Sequence, residues 1–265
     1  MALALEPLGS PRALRRRTLP LVPLAILAWP VPPGGAAEAL EFAAADIFYE
    51  LNATDGDLGV HVALDAESWR DLRIEGPAGR TIVGVEPEGD LKEIGLTELF
   101  FEGEEPSLAE VPFARLRSLF PEGDYVFLAR TTDGQELRST DPLTAELPCP
   151  VTVVSPAEEQ AVPPEGVVVR WRPAPGVFDP DAQRCDTGAE VGLVGYQVIV
   201  LLENAEAGLR REFLVDLPPG ATEVPVPAEF AEEGARLENT EFTLEVLAVE
   251  DSGNKTIAAR SFQVE

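Results

Sequence analysis

Two segments toward the C-terminal end alternate apolar and polar residues with a period of two. One is Phe242-Thr243-Leu244-Glu245-Val246-Leu247-Ala248-Val249, in which Phe242, Leu244, Val246 and Ala248 share one face. The other is Val167-Val168-Val169-Arg170-Trp171. Successive side chains of a strand point to opposite faces, so this alternation predicts strands with one buried face. The 25 Pro and 22 Gly agree, because they suit many short strands joined by turns better than long helices.

The 265 residues are enough for two domains of ordinary size, and 45% apolar residues can supply a packed core. A single His and two Cys rule out a His-rich zinc site and a four-cysteine cluster. The formal charge is -27. Without the first 39 residues, 16 basic and 45 acidic residues remain. Such a surface repels phosphate backbones and anionic lipid, so no nucleic-acid partner is expected.

Arg15-Arg16-Arg17 precedes an apolar stretch from Leu19 to Trp29, and Ala37-Glu38-Ala39 fits a small-x-small cleavage site. This is the layout of a secretory signal peptide over 1–39. The stretch is shorter than the ~20 residues a membrane span needs, and no membrane span is expected in the mature chain. The alternative is an uncleaved N-terminal anchor. Export would place the protein in a periplasm or outside the cell.

Residues 41–147 read as an immunoglobulin-like β-sandwich with one short helix. Ile47, Tyr49 and Leu51 share a strand face, Asp55-Gly56-Asp57 turns the chain, and Val60, Val62 and Leu64 return it. The segment Gly76-Pro77-Ala78-Gly79 closes a second hairpin. Ser107 to Phe120 reads as a helix with Ser107 as its cap, although Pro112 lies within its first turns. Gly123-Asp124-Tyr125 opens a late strand, as in immunoglobulin-like sandwiches where the Tyr hydroxyl braces the preceding loop. His61 falls opposite the apolar parity of its strand, which places it facing solvent or under the helix. Trp69 reads as core, with an exposed glycan platform as the alternative.

Residues 148–265 resemble a fibronectin type III domain over nearly their whole length. Pro150–Ser155 resembles strand A, Val167–Trp171 strand B, Gly195–Val200 strand C, Thr222–Val226 strand E, Phe242–Val249 strand F and Thr256–Val264 strand G. The resemblance implies an all-β fold of two sandwiches in tandem, with Trp171, Tyr196 and Phe242 as core markers. The sequence departs from the family at three points. Phe242 stands where the corner Tyr is usual, the Leu-to-aromatic spacing there is one residue short, and the connection from Arg172 to Val194 is long for a hairpin. The F–G turn holds no Arg-Gly-Asp. The two-domain layout is also similar to exported bacterial proteins with a C-terminal fibronectin type III domain and no assigned activity.

In an exported chain, Cys149 and Cys185 are expected to be bonded, tying the long loop to the domain junction. Closing a loop of this length would add about 3–4 kcal/mol. The alternative is two thiols whose Cα atoms lie too far apart. Asn52, Asp55 and Asp57, with Thr54, crowd one turn as a candidate weak calcium site, and the acidic loop of Asp179, Asp181 and Asp186 competes with it. The alternative at the first loop is a plain Asp-Gly turn with solvated neighbours. Gly-x-Ser-x-Gly is absent and neither Cys has a His near it in sequence, so no catalytic residue is assigned. Asn52-Ala53-Thr54 and Asn254-Lys255-Thr256 match the glycosylation pattern, which a bacterial layout leaves idle.

The expected function is an exported, non-catalytic binding or structural module that presents loops or a sheet edge to a protein or glycan. The long B–C loop is the first candidate. The alternative is a carbohydrate-active hydrolase or its accessory domain. No cofactor is expected beyond calcium.

Overall fold

The computed structural model describes residues 39–265; the expected signal segment lies outside the described residues, apart from Ala39. Sixteen strands and three short helices follow one another in this stretch. The first lobe runs β1 (Ala44–Asn52), β2 (Asp57–Glu75), β3 (Thr81–Val85), α1 (Leu91–Ile94), β4 (Leu96–Glu102), α2 (Phe113–Leu119), β5 (Gly123–Thr131) and β6 (Glu136–Leu143). The second runs β7 (Thr152–Ser155), β8 (Ala161–Val162), β9 (Val168–Arg172), β10 (Val177–Asp179), β11 (Arg184–Asp186), β12 (Leu193–Asn204), β13 (Leu209–Leu217), β14 (Glu223–Pro225), α3 (Ala228–Ala235), β15 (Glu241–Glu250) and β16 (Lys255–Val264).

The first lobe is built on β2, whose nineteen residues join two arms of one continuous hydrogen-bonded sheet. Its first half pairs with β1 and β4, and its second half with β5 and β3. Register shifts between Asp65 and Trp69 and between Arg70 and Arg73 bend it, with Asp71 at φ 58°. Such a bulge turns a strand from one arm into the other. Ile47, Tyr49, Leu51, Val60, Val62, Leu64, Trp69, Ile74, Tyr125 and Phe127 fill the space between the arms. Tyr125 donates from its hydroxyl to the Pro121 carbonyl at 3.0 Å and so braces the loop before β5. The helix is shorter than the Ser107–Phe120 span. Pro112 is its N-cap, and Ser107 instead donates to Glu110 Oε2 at 3.1 Å. A proline disfavours helix in the residue before it, so the turns at 107–111 cannot merge with α2.

The second lobe packs the three-stranded sheet β14-β9-β7 on the strands β13-β12-β15-β16. Strands B and C–F–G of the resemblance thus lie in opposite sheets, as in immunoglobulin-like sandwiches. Trp171, Tyr196 and Phe242 are all buried, and the Trp171 ring meets Tyr196 edge-on at 5.3 Å. The acidic α3 follows Pro227 and has no counterpart among the expected elements. Its Gly234 lies so close to Phe242 and Leu202 that a side chain there would overlap both. The fold is all-β, with two immunoglobulin-like sandwiches in tandem and short helices at their margins.

The lobes share one sheet. β1 and β16 pair in parallel, Glu50 with Lys255, Leu51 with Thr256 and Asn52 with Ile257. Beside this seam, Asn254 is fully buried. Its Oδ1 accepts from the Tyr49 N–H at 2.7 Å, and its Nδ2 donates to the carbonyls of Thr144 and Glu146 and to Thr144 Oγ1. The Cys149–Cys185 disulfide closes a 36-residue separation with Cα atoms 5.7 Å apart. It holds the β10–β11 hairpin against the junction, where Phe178 N–H donates to the Leu147 carbonyl and Cys149 N–H to that of Gly176.

Glu250 closes the turn between β15 and β16. It accepts from the Ser252 and Asn254 N–H groups and from the Ser252 hydroxyl, yet burial pushes its carboxyl up to about 7. Burial likewise pushes Asp141 up to about 6. A carboxyl whose folded pKa is raised binds its proton more tightly in the folded state. Its contribution is complete below the unfolded value and is lost as pH rises through the folded one. Stability is therefore expected to fall between about pH 4.5 and 7.5. A tenfold change in proton affinity is worth ~1.4 kcal/mol, and partial contact with water reduces the combined effect to about 2–3 kcal/mol. Urea midpoints across that range check this; a midpoint that rises with pH would refute it.

Candidate functional site

The register of β1, β2 and β4 sets out the outer face of the first arm in rows. Ala44, Asp65 and Glu98 form one row; Asp46, Ala63 and Phe100 the next; Phe48, His61 and Glu102 the third. Glu50 lies opposite Gly59 in the fourth. Inward neighbours are the core residues Ile47, Tyr49, Val60, Val62 and Leu64, so the face exists because the strands alternate.

Phe100 is 61% exposed, on a floor made of Ala44 and Ala63. Together with Leu64 and Leu99 these residues line a shallow apolar groove rimmed by Asp65 and Glu98. Small residues beside an exposed ring leave that ring's surface open to a ligand. Trp69, the aromatic platform that the sequence offers as an alternative to a core role, is wholly buried and donates from Nε1 to the Thr97 carbonyl at 3.2 Å. The run Leu99-Phe100-Phe101 is apolar throughout, and only the register with β2 separates exposed Phe100 from its half-buried neighbours.

One row further on, His61 is buried, contrary to its expected place facing solvent or under the helix. Phe48 stacks on the imidazole at 5.3 Å with 18° between planes, and Phe100 tilts against it at 6.0 Å. The residue covering it is Glu105, from the loop after β4. His61 Nε2 lies 3.0 Å from Glu105 Oε1 and 4.0 Å from Glu50 Oε1. Glu105 reaches this place across Gly59, where a Cβ would lie 2.5 Å from its Cγ. Lys255 Nζ sits 4.4 Å from the centre of the Phe48 ring.

Burial dominates the acid–base chemistry here. It pushes Glu105 up to about 7, helped by the charges of Glu102 and Asp57. It raises Glu50 against the pull of His61 and Lys255, and it lowers His61 against the pull of Glu50 and Glu102. The imidazole is therefore neutral at pH 7 and has a lone pair available. The side chains set against it among the described residues are the carboxylates Glu50 and Glu105 and the rings of Phe48 and Phe100.

The other candidates lie elsewhere. At the first loop, Asn52 Oδ1 accepts from the Thr54 and Asp55 N–H groups, and Asn52 Nδ2 donates to Asp55 Oδ2. This closes the turn at Gly56 and engages Asn52 and one Asp55 oxygen, while Asp57 Oδ1 is buried without a hydrogen-bond partner. In the second loop, Asp179 Oδ1 accepts from Ala182 N–H, Asp186 Oδ1 from Gly188 N–H, and Asp181 Oδ1 from Ala114 N–H of α2. The B–C loop is thus folded back on the first lobe. Asn254, in the second glycosylation pattern, is buried and is no acceptor in the folded chain. Among the described residues, no helix is long and apolar enough to cross a membrane.

No family model matches the chain, and no curated protein matches it either. Solved structures do match. A crystal structure of chicken CNTN1 FN1-FN3 domains aligns over 85% of this chain and 65% of its own length, at 12% identity and a TM-score of 0.29. A tetra-tandem repeat from the extending region of a large adhesion protein aligns over 84% of this chain and 50% of its own, at 14% identity and a TM-score of 0.26. The chain thus spans less than two thirds of either structure, and likenesses this distant assign no family.

Proposed function

We propose that the protein is an exported, non-catalytic binding or structural module whose outer sheet face receives a protein or glycan. The observation that carries this is Phe100, exposed above Ala44 and Ala63 with carboxylates at the rim. An aromatic ring on a flat floor of small residues suits a sugar ring or an apolar side chain. Rim carboxylates can accept from sugar hydroxyls or from basic side chains. The Cys149–Cys185 disulfide supports export, because such bonds persist in oxidising compartments. The B–C loop, pinned at both lobes, is the weaker candidate surface.

One arrangement favours a second reading, the carbohydrate-active hydrolase. Glu50 and Glu105 bring their oxygens within 4.8 Å, near the ~5–5.5 Å separation of retaining glycosidases, and Glu105 holds a proton near neutral pH. His61, however, lies between these two carboxylates, where the scissile bond would have to enter.

Both readings meet one experiment. The full chain is titrated with cell-surface glycan and with envelope protein from the producing cell, beside Phe100→Ala. The variant should bind one of them about tenfold more weakly, the loss expected of a central aromatic contact, with an unchanged unfolding midpoint. Equal binding by the variant, or no saturable binding at all, overturns the module. Release of new reducing ends from the glycan favours the hydrolase. Recovery of the protein from the cytoplasm starting at Met1 overturns export.

A further inference from the structure

The corner of the outer face holding His61 carries more negative charge than its hydrogen bonds neutralise. Glu50 comes from β1, His61 and Asp57 from β2, Glu102 from β4, Glu105 from the following loop and Lys255 from β16. An imidazole Nε2–H can satisfy Glu105 at 3.0 Å but not Glu50 at 4.0 Å as well. Among the described residues, Lys255 is the cation set beside these carboxylates, and it lies over the Phe48 ring. Carboxylates gathered in a half-buried corner need a proton or a cation between them.

We propose that Glu50, His61 and Glu105 bind a divalent first-row transition cation, with zinc as its best representative, and that the ion fastens the loop after β4 to the sheet. The donor atoms of the three residues all lie within 4.8 Å of one another, and among the described residues they are the grouping of this kind. Bonds of ~2.0–2.2 Å in a tetrahedron set ligand atoms about 3.3 Å apart. The two Nε2–carboxylate distances, 3.0 and 4.0 Å, bracket that value, and the Glu50 and Glu105 oxygens, within 4.8 Å of each other, close on the ion by side-chain rotation to complete three corners. A nitrogen with two carboxylate oxygens suits zinc, cobalt or iron(II) over the oxygen-only sites that calcium and magnesium prefer. Gly59 is part of the design, because only a residue without a side chain lets Glu105 lie across the strand to reach the others. Phe48 and the core behind β2 fix the imidazole plane, so Nε2 is held in place before an ion arrives, and binding moves the ring proton to Nδ1 to free the Nε2 lone pair. A fourth position remains for water or a ligand.

The test uses the full chain with its disulfide intact. Zinc chloride titrated by calorimetry should bind at one ion per chain and raise the thermal midpoint, with EDTA reversing the rise. Cobalt(II) should produce the visible absorption of a low-symmetry site. Glu105→Gln and Glu50→Gln, which remove charge without removing volume, should each weaken zinc by about tenfold or more, at least the loss seen when a supporting residue of a metal site is removed. His61→Asn should abolish the cobalt spectrum if the variant folds, and the two glutamine variants decide the matter if it does not. Asp186→Asn, in the other acidic loop, should change nothing. Zinc binding that survives both glutamine substitutions, or that Asp186→Asn removes, overturns the assignment. An equal response to calcium overturns the zinc class, and absence of binding overturns the site.

Discussion

Trp69→Ala is expected to lower the unfolding free energy by about 3–5 kcal/mol, the cost of emptying a large buried aromatic site. Trp69 is wholly buried at the bend of β2, where the strand leaves one arm of the sheet for the other. The cavity would open between both arms at once, and the Thr97 carbonyl would lose its indole donor. Urea denaturation measures the loss. A midpoint within error of the parent would mean that Trp69 is not the plug of the first core. Trp69→Phe separates the two contributions, since it keeps most of the volume and removes only the hydrogen bond, worth about 1 kcal/mol.

The second large effect belongs to Asn254. Asn254→Ala should cost about 3–5 kcal/mol, because it strands the Tyr49 N–H and the Thr144 and Glu146 carbonyls in a buried place, at ~1–3 kcal/mol for each unpaired group. Asn254→Asp is a sharper test. It keeps the shape and the acceptor for Tyr49 but turns a donor toward two carbonyls into a carboxylate oxygen. It should be at least as damaging at neutral pH and recover in acid, as the carboxyl takes up a proton. Denaturation at pH 5 and pH 7.5 distinguishes these outcomes, and a loss below about 1 kcal/mol for the alanine variant would show that the seam does not depend on this amide.

The fold was largely legible because period-two alternation is a local signal. Phe242, Leu244, Val246 and Ala248 are buried as a set, and so are Val169 and Trp171. Tyr125 was readable for the same reason: its hydrogen-bond partner, Pro121, lies four residues away. α3 was not legible, since Glu229, Glu232 and Glu233 mask its small buried face, Ala231 and Gly234. The long B–C loop showed its length but not where it docks, which depends on Asp181 meeting a backbone N–H of α2.

The candidate site stood between these cases. The turn that pairs Asn52 with Asp57 fixes the whole hairpin register, so Phe48 must oppose His61 and Glu50 must oppose Gly59. That register alone places Glu50 diagonally beside His61 on one face. Glu105 could not be found that way, because it arrives from a loop and is admitted only by the missing side chain of Gly59. Single-residue features of this kind, one glycine and one reaching carboxylate, leave no periodic trace.

The parallel pairing of β1 with β16 has a mechanical consequence. Overlap is confined to Glu50–Asn52 against Lys255–Ile257, with the rest of β1 extending to one side and the rest of β16 to the other. Pulling Ala44 and Val264 apart therefore draws two staggered strands past each other along their length. The ladder bonds at the overlap are loaded together in shear instead of being unzipped in turn, and Asn254 bolts the same junction from the side. Tension along the molecule is thus carried through hydrogen-bonded strands from one lobe into the next, in the manner of a lap joint, with no slack linker to extend first.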